Sequence, residues 1–117
     1  RHRMNGNDDD SMKSGADLAE RTAVIRMEAT VDERIEAATD TLRQLKDRCK
    51  TPPEAFHLVH CGGRRAGIDG RIGEVADAVV KEAGDIPFLM EFTFGEYGYE
   101  DDDRNAIGGL MLSYTAF

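Results

Sequence analysis

The sequence predicts an α/β (α+β) domain: a small mixed β-sheet with two amphipathic helices packed on one face and a C-terminal antiparallel hairpin. Three observations predict it. Apolar residues recur at three- and four-residue steps over 32–49 and again over 72–80, the period of a helix with one buried stripe. Apolar and polar residues alternate over 22–31, 86–94 and 106–116, the period of a half-buried strand. The chain is 117 residues long and 40% hydrophobic, enough for one core and not two. The expected division is a flexible arm or loop at 1–16 and a single α/β domain at 17–117.

Residues 1–16 are polar, and the run Asn5-Gly6-Asn7-Asp8-Asp9-Asp10-Ser11 offers nothing to a core. Over 22–31, Ala23, Ile25, Met27, Ala29 and Val31 share one face, which reads as a strand. Over 32–49, Ile35, Ala38, Leu42, Leu45 and Cys49 form the clearest helical stripe. Thr30 and Glu33 have capping-box spacing, Arg43, Lys46, Arg48 and Lys50 crowd the negative end of the dipole, and Pro52-Pro53 stops the helix. The short apolar run 55–61 reads as a strand and 62–67 as a glycine-rich loop. Ile72, Val75, Ala76, Val79 and Val80 outline a second helix ending at Gly84. In the strand at 86–94, Phe88, Met90, Phe92 and Phe94 share a face. After an acidic loop at 95–105, Leu110, Leu112, Tyr114 and Ala116 share a face of the last strand, 106–116. These last two strands are expected to pair as the structural centre, with Phe88, Met90, Phe92, Leu110, Leu112 and Tyr114 buried under the helices.

Fifteen Lys and Arg against 23 Asp and Glu give a net charge of −8. That balance disfavours a tight grip on nucleic acid or on an anionic membrane, since both need excess cations. The longest apolar stretches, 86–90 and 106–112, fall far short of the roughly 20 residues that span a bilayer. No basic start followed by an apolar run marks a signal peptide. Two Cys do not make a disulfide scaffold, and a reducing cytoplasm is the simplest home. A domain this small leaves an exposed sheet edge or apolar face that favours oligomerisation.

Cys49, His57, His60 and Cys61 are the soft metal ligands nearest one another, but His57 and His60 fall on opposite faces of a strand and no paired zinc spacing is present. No metal, no organic cofactor and no catalytic residue is expected. The glycines at 62, 63, 67, 70 and 73 do not match a phosphate loop, because Ile68-Asp69 stands where Lys-Ser/Thr belongs. Arg64 and Arg65 are cations suited to an anion. Glu96, Glu100, Asp101, Asp102 and Asp103 form a dense acidic loop that lacks the alternation of a calcium loop; it reads as a solvated hairpin tip, with an electrostatic docking surface as the functional alternative. These seven residues are the expected interaction set.

Residues 95–117 (GEYGYEDDDRNAIGGLMLSYTAF) carry an aromatic strand, an acidic turn and a final strand of the form apolar-x-apolar-x-Tyr. With the helix at 71–83 and the entry Gly84-Asp85-Ile86-Pro87, residues 70–117 resemble siphophage tail-terminator proteins of the lambda protein U type. The first 60 residues match that pattern less well. The resemblance implies a non-enzymatic viral structural protein: a hexameric ring that caps the tail tube and joins it to the head-completion, or neck, proteins. Its expected partners are copies of itself, the tail-tube protein and the neck protein, with DNA passing through the lumen unbound and no membrane contact. The expected place is the neck of the virion, after assembly in the host cytoplasm. The alternatives are a small acidic interaction module, such as a DNA mimic or inhibitor, and a small enzyme.

Overall fold

A computed structural model describes residues 3–6, 8–9, 11–14, 19–21, 23, 28–94, 96–99 and 105–117. In chain order the elements are β1 (Arg3–Gly6), β2 (Met12–Ser14), α1 (Val31–Arg48), β3 (Phe56–Cys61), α2 (Gly62–Ile68), a 3-10 turn (Asp69–Arg71), α3 (Ile72–Ala83), β4 (Phe88–Thr93), β5 (Glu96–Tyr99), β6 (Asn105–Gly108) and β7 (Leu112–Ala116). The central sheet has the order β4-β3-β7. β3 runs parallel to β4, with Phe56 opposite Phe88, and antiparallel to β7, with Leu58 opposite Tyr114. The helical crossover between β3 and β4 makes that parallel pair possible.

α1 starts where its sequence tells it to. The Thr30 hydroxyl accepts from the Glu33 amide at 3.2 Å, and the Glu33 carboxylate accepts from the Thr30 amide at 2.7 Å. The reciprocal pair satisfies two backbone donors that the first turn otherwise leaves free. Ala38 and Leu42 are buried along the α1 stripe, with Ile35 and Leu45 packed beside them. α3 buries Val75, Val79 and Ala83 and ends at Gly84, whose φ of +65° a side chain would resist. Phe56 and Leu58 of β3 and Ile68 of α2 complete the core. The two long helices thus cover one face of the sheet, and the residues between Phe56, Leu58 and His60 turn to the other face.

Five expectations change. The last two strands are not partners: β3 lies between β4 and β7, so the centre of the sheet is the short apolar run at 56–61. A central strand shields its own side chains with a neighbour on each side. Phe56 and Leu58 are therefore buried, while Phe88, Met90, Leu110, Leu112 and Tyr114 are only half-buried and Phe92 is exposed. The strand expected at 106–116 breaks into β6 and β7 at a bend where Leu110 takes φ +62°. The acidic loop is flanked by the β5–β6 hairpin. The glycine-rich loop at 62–67 is the helix α2, held by the burial of Ile68 rather than by propensity.

The arm at 1–16 contains the antiparallel hairpin of β1 and β2, which among the described residues pairs with no other strand. The strand expected at 22–31 lies largely outside the described residues. Its last part, 28–30, is not strand, and Val31 opens α1 because the capping box at Thr30 commits the chain to a helix.

Candidate functional site

The carboxyl end of β3 runs straight into α2, and the two glycines at the junction allow a close approach. A Cβ on Gly62 would stand 2.9 Å from the Phe94 ring and 3.3 Å from the Thr93 carbonyl oxygen. A Cβ on Gly63 would stand 3.0 Å from Leu110. The ends of β3 and β4 and the bend before β7 therefore meet at the first turn of α2. In open α/β sheets the carboxyl ends of parallel strands are where ligands bind.

Four side chains converge there. His60 is 1% exposed and sits on the helix-covered face with Phe56 and Leu58. Its Nε2 is 2.5 Å from the Tyr114 hydroxyl, a contact created by the β3–β7 register. Phe92 meets the imidazole edge-on, with 5.6 Å between centroids. Arg65, exposed on α2, places its guanidinium carbon 5.7 Å from the Phe92 ring centroid, a cation–π distance. Arg64 turns inward and is 9% exposed. One Nη donates to the Arg34 carbonyl of α1. The Arg34 guanidinium in turn donates to the Gly67 carbonyl at 3.3 Å, tying α1 to α2.

The electrostatics follow from burial. Burial lowers the His60 imidazole to about 4, and the Arg64 charge presses in the same direction, so the ring is neutral near pH 7. Burial raises the Tyr114 phenol, which therefore keeps its proton. The phenol and Nε2 share one hydrogen bond, and the other ring nitrogen is Nδ1. That Nδ1 and the Arg64 Nε are both buried with no hydrogen-bond partner. Burial also pushes the Arg64 guanidinium down; Tyr114 opposes that push and Arg34 adds to it. Among the described residues no carboxylate lies within ion-pair distance of Arg34, Arg64 or Arg65. The site holds a buried Arg64 Nε–H and positive charge, with no carboxylate among the described residues beside it.

Of the expected interaction residues, Arg64 and Arg65 meet here, on a helix rather than in a loop. Glu96 opens β5, and Glu100, Asp101, Asp102 and Asp103 lie outside the described residues. His57 points away from His60, as the strand period requires, and meets Glu91 at 2.7 Å on the open face. Among the described residues no group of three His, Cys, Asp or Glu side chains is placed to hold a metal. Cys61 neighbours His60 in sequence and so takes the opposite face. Cys49 lines a hollow of about 140 Å³ with Lys50, Thr51, Pro53, Ala116 and Phe117 at the other end of the sheet, and both thiols are free. Arg34, His60, Phe92 and Tyr114 were not in the expected set. His60 had a signal, since it shares a period-two face with Phe56 and Leu58; Tyr114 and Arg34 join only through tertiary register.

The fold and the cluster together define a small α+β domain with a polar, arginine-bearing centre at the carboxyl end of its parallel strands. The family model described as the FIST C domain matches residues 1–99, and the chain belongs to that family. No curated protein and no solved structure matches it.

Proposed function

We propose that this chain is a non-enzymatic recognition module of a signalling protein, and that it takes its ligand at the carboxyl end of β3. The family is one associated with signal transduction, which supports the setting. The observation that carries the proposal is Arg64: a guanidinium 9% exposed, with its Nε unpartnered and no carboxylate among the described residues beside it. A buried charge left without a counter-charge is costly. A side chain retained for architecture alone is expected to be paired. A side chain retained for binding costs the free domain stability, a common trade at functional sites.

Arg64→Met keeps the length and removes the charge. Under this reading the variant unfolds in denaturant at the same midpoint as the parent or higher, by up to about 1–2 kcal/mol. A loss of about 2 kcal/mol or more would make Arg64 a structural tie between α2 and α1 and sink the proposal.

The other reading is the hexameric ring of a tail-terminator protein; among the described residues β4 and β7 are edges of the central sheet, which any added strand could pair with and which do not single out that ring. The family match spans 70–99 along with the N-terminal part, and so covers much of the segment on which that resemblance was based. Light scattering distinguishes the two, because the ring requires a six-fold mass and the recognition module does not.

A further inference from the structure

We infer that the cluster at the carboxyl end of β3 is an oxyanion site: it holds a phosphate or carboxylate group of the incoming ligand, with Arg64 as the principal donor and Arg65 on the exposed rim. The inference rests on the recognition-module reading and adds the chemistry of the ligand.

A buried guanidinium N–H at this site has no partner. His60 Nε2 is engaged with the Tyr114 hydroxyl, and its Nδ1 is buried and unpartnered. The Arg64 Nε–H is buried and unpartnered as well. The Arg64 donor needs an acceptor, and a second donor or a cation would not serve. Guanidinium groups match carboxylate and phosphate oxygens with paired N–H bonds, and such charge-assisted bonds are the strong ones. Arg64 has one Nη engaged with the Arg34 carbonyl, so its orientation is already fixed by α1. Phe92 lies against both Arg65 and His60 and keeps an apolar wall beside the site, where charge is screened less than in water. Arg34, Arg64 and Arg65 are grouped on a chain whose net charge is −8. Their grouping runs against the overall balance, and a local positive field on an acidic protein steers anions to one place. The Gly62-Gly63 junction supports the same placement, because its missing side chains let Thr93, Phe94 and Leu110 close around the first turn of α2.

The test uses the full chain and two probes, inorganic phosphate and acetate, each titrated through the millimolar range at neutral pH with sodium chloride holding the ionic strength constant. NMR follows the Arg64 Nε–H and the His60 ring resonances. The expected result is a saturable shift of both with at least one probe, and a rise in thermal midpoint that chloride does not give. Arg64→Met should weaken the response about tenfold or more, and Arg64→Lys, which keeps the charge and loses the planar fork, should fall between. Phosphate alone, acetate alone, or both identify the group the ligand carries. No saturable shift with either probe overturns the inference, as does a response undiminished in a folded Arg64→Met. If Arg64→Met is as stable as the parent and neither anion binds, the recognition reading stands and the oxyanion chemistry fails. If Arg64→Met is destabilised, the recognition reading itself fails.

Discussion

At the scale of single residues, burial decides what each polar group does. His60 is neutral near pH 7 because a protonated imidazole would be buried beside the Arg64 guanidinium. In the unfolded chain its pKa returns to about 6.5. Protons therefore bind the unfolded state first as pH falls, and stability is lost between about 6.5 and about 4, then levels off. The loss is on the order of 3 kcal/mol. The check is the denaturant midpoint of the parent against His60→Gln across that range: the parent should lose stability on acidification more steeply than the variant, and parallel curves would contradict the assignment. Phe92 gives the opposite lesson. It is 37% exposed and its ring serves Arg65 and His60 rather than the core. Phe92→Ala should cost about 1 kcal/mol, well below the 3–5 kcal/mol of a buried Phe; a core-sized loss in a melting experiment would show that the wall is structural.

At the scale of elements, the helices were legible and the strand partners were not. The stripes Ala38/Leu42 and Val75/Val79 and the Thr30–Glu33 box are local patterns, written within a few turns of chain, and all are realised. Thr30→Ala should destabilise by about 1 kcal/mol through loss of the cap, read as a lowered midpoint with unchanged cooperativity; no change would mean that α1 is fixed by packing alone. Strand pairing is not local. The nearest-neighbour rule made a hairpin of 86–94 and 106–116, whereas the crossover through α2 and α3 returns β4 beside β3, and β7 closes the other side. α2 was hidden for a related reason. Glycines at 62, 63 and 67 weaken helix propensity, and the helix is held by Ile68 in the core and by the Arg34 guanidinium donating to the Gly67 carbonyl. Of the site, Arg64 and Arg65 were visible as unexplained cations. Tyr114 and Phe92 were read as core because alternation reports which face a side chain takes and not how far along the strand the cover extends.

At the scale of the whole molecule, one end of the sheet carries the core's continuation and the other carries a hollow of about 140 Å³, and the two ends differ in chemistry. Cys49, Phe117 and Ala116 line the hollow without a charged cluster, while the carboxyl end of β3 gathers Arg34, Arg64, Arg65, His60 and Tyr114. Among the described residues the edges β4 and β7 bear on assembly: a six-fold mass in solution would favour the ring, and a smaller species would exclude it. The central claim is that β3 has two functions along its length, core in the middle and binding at its carboxyl end. It is tested most directly by denaturant unfolding of two variants side by side, Leu58→Ala and Arg64→Met. Both positions are buried, at 0% and 9% exposure. The account predicts a loss of about 2–5 kcal/mol for Leu58→Ala and no loss, or a gain, for Arg64→Met. Comparable losses at both positions would contradict it and make the arginine part of the scaffold.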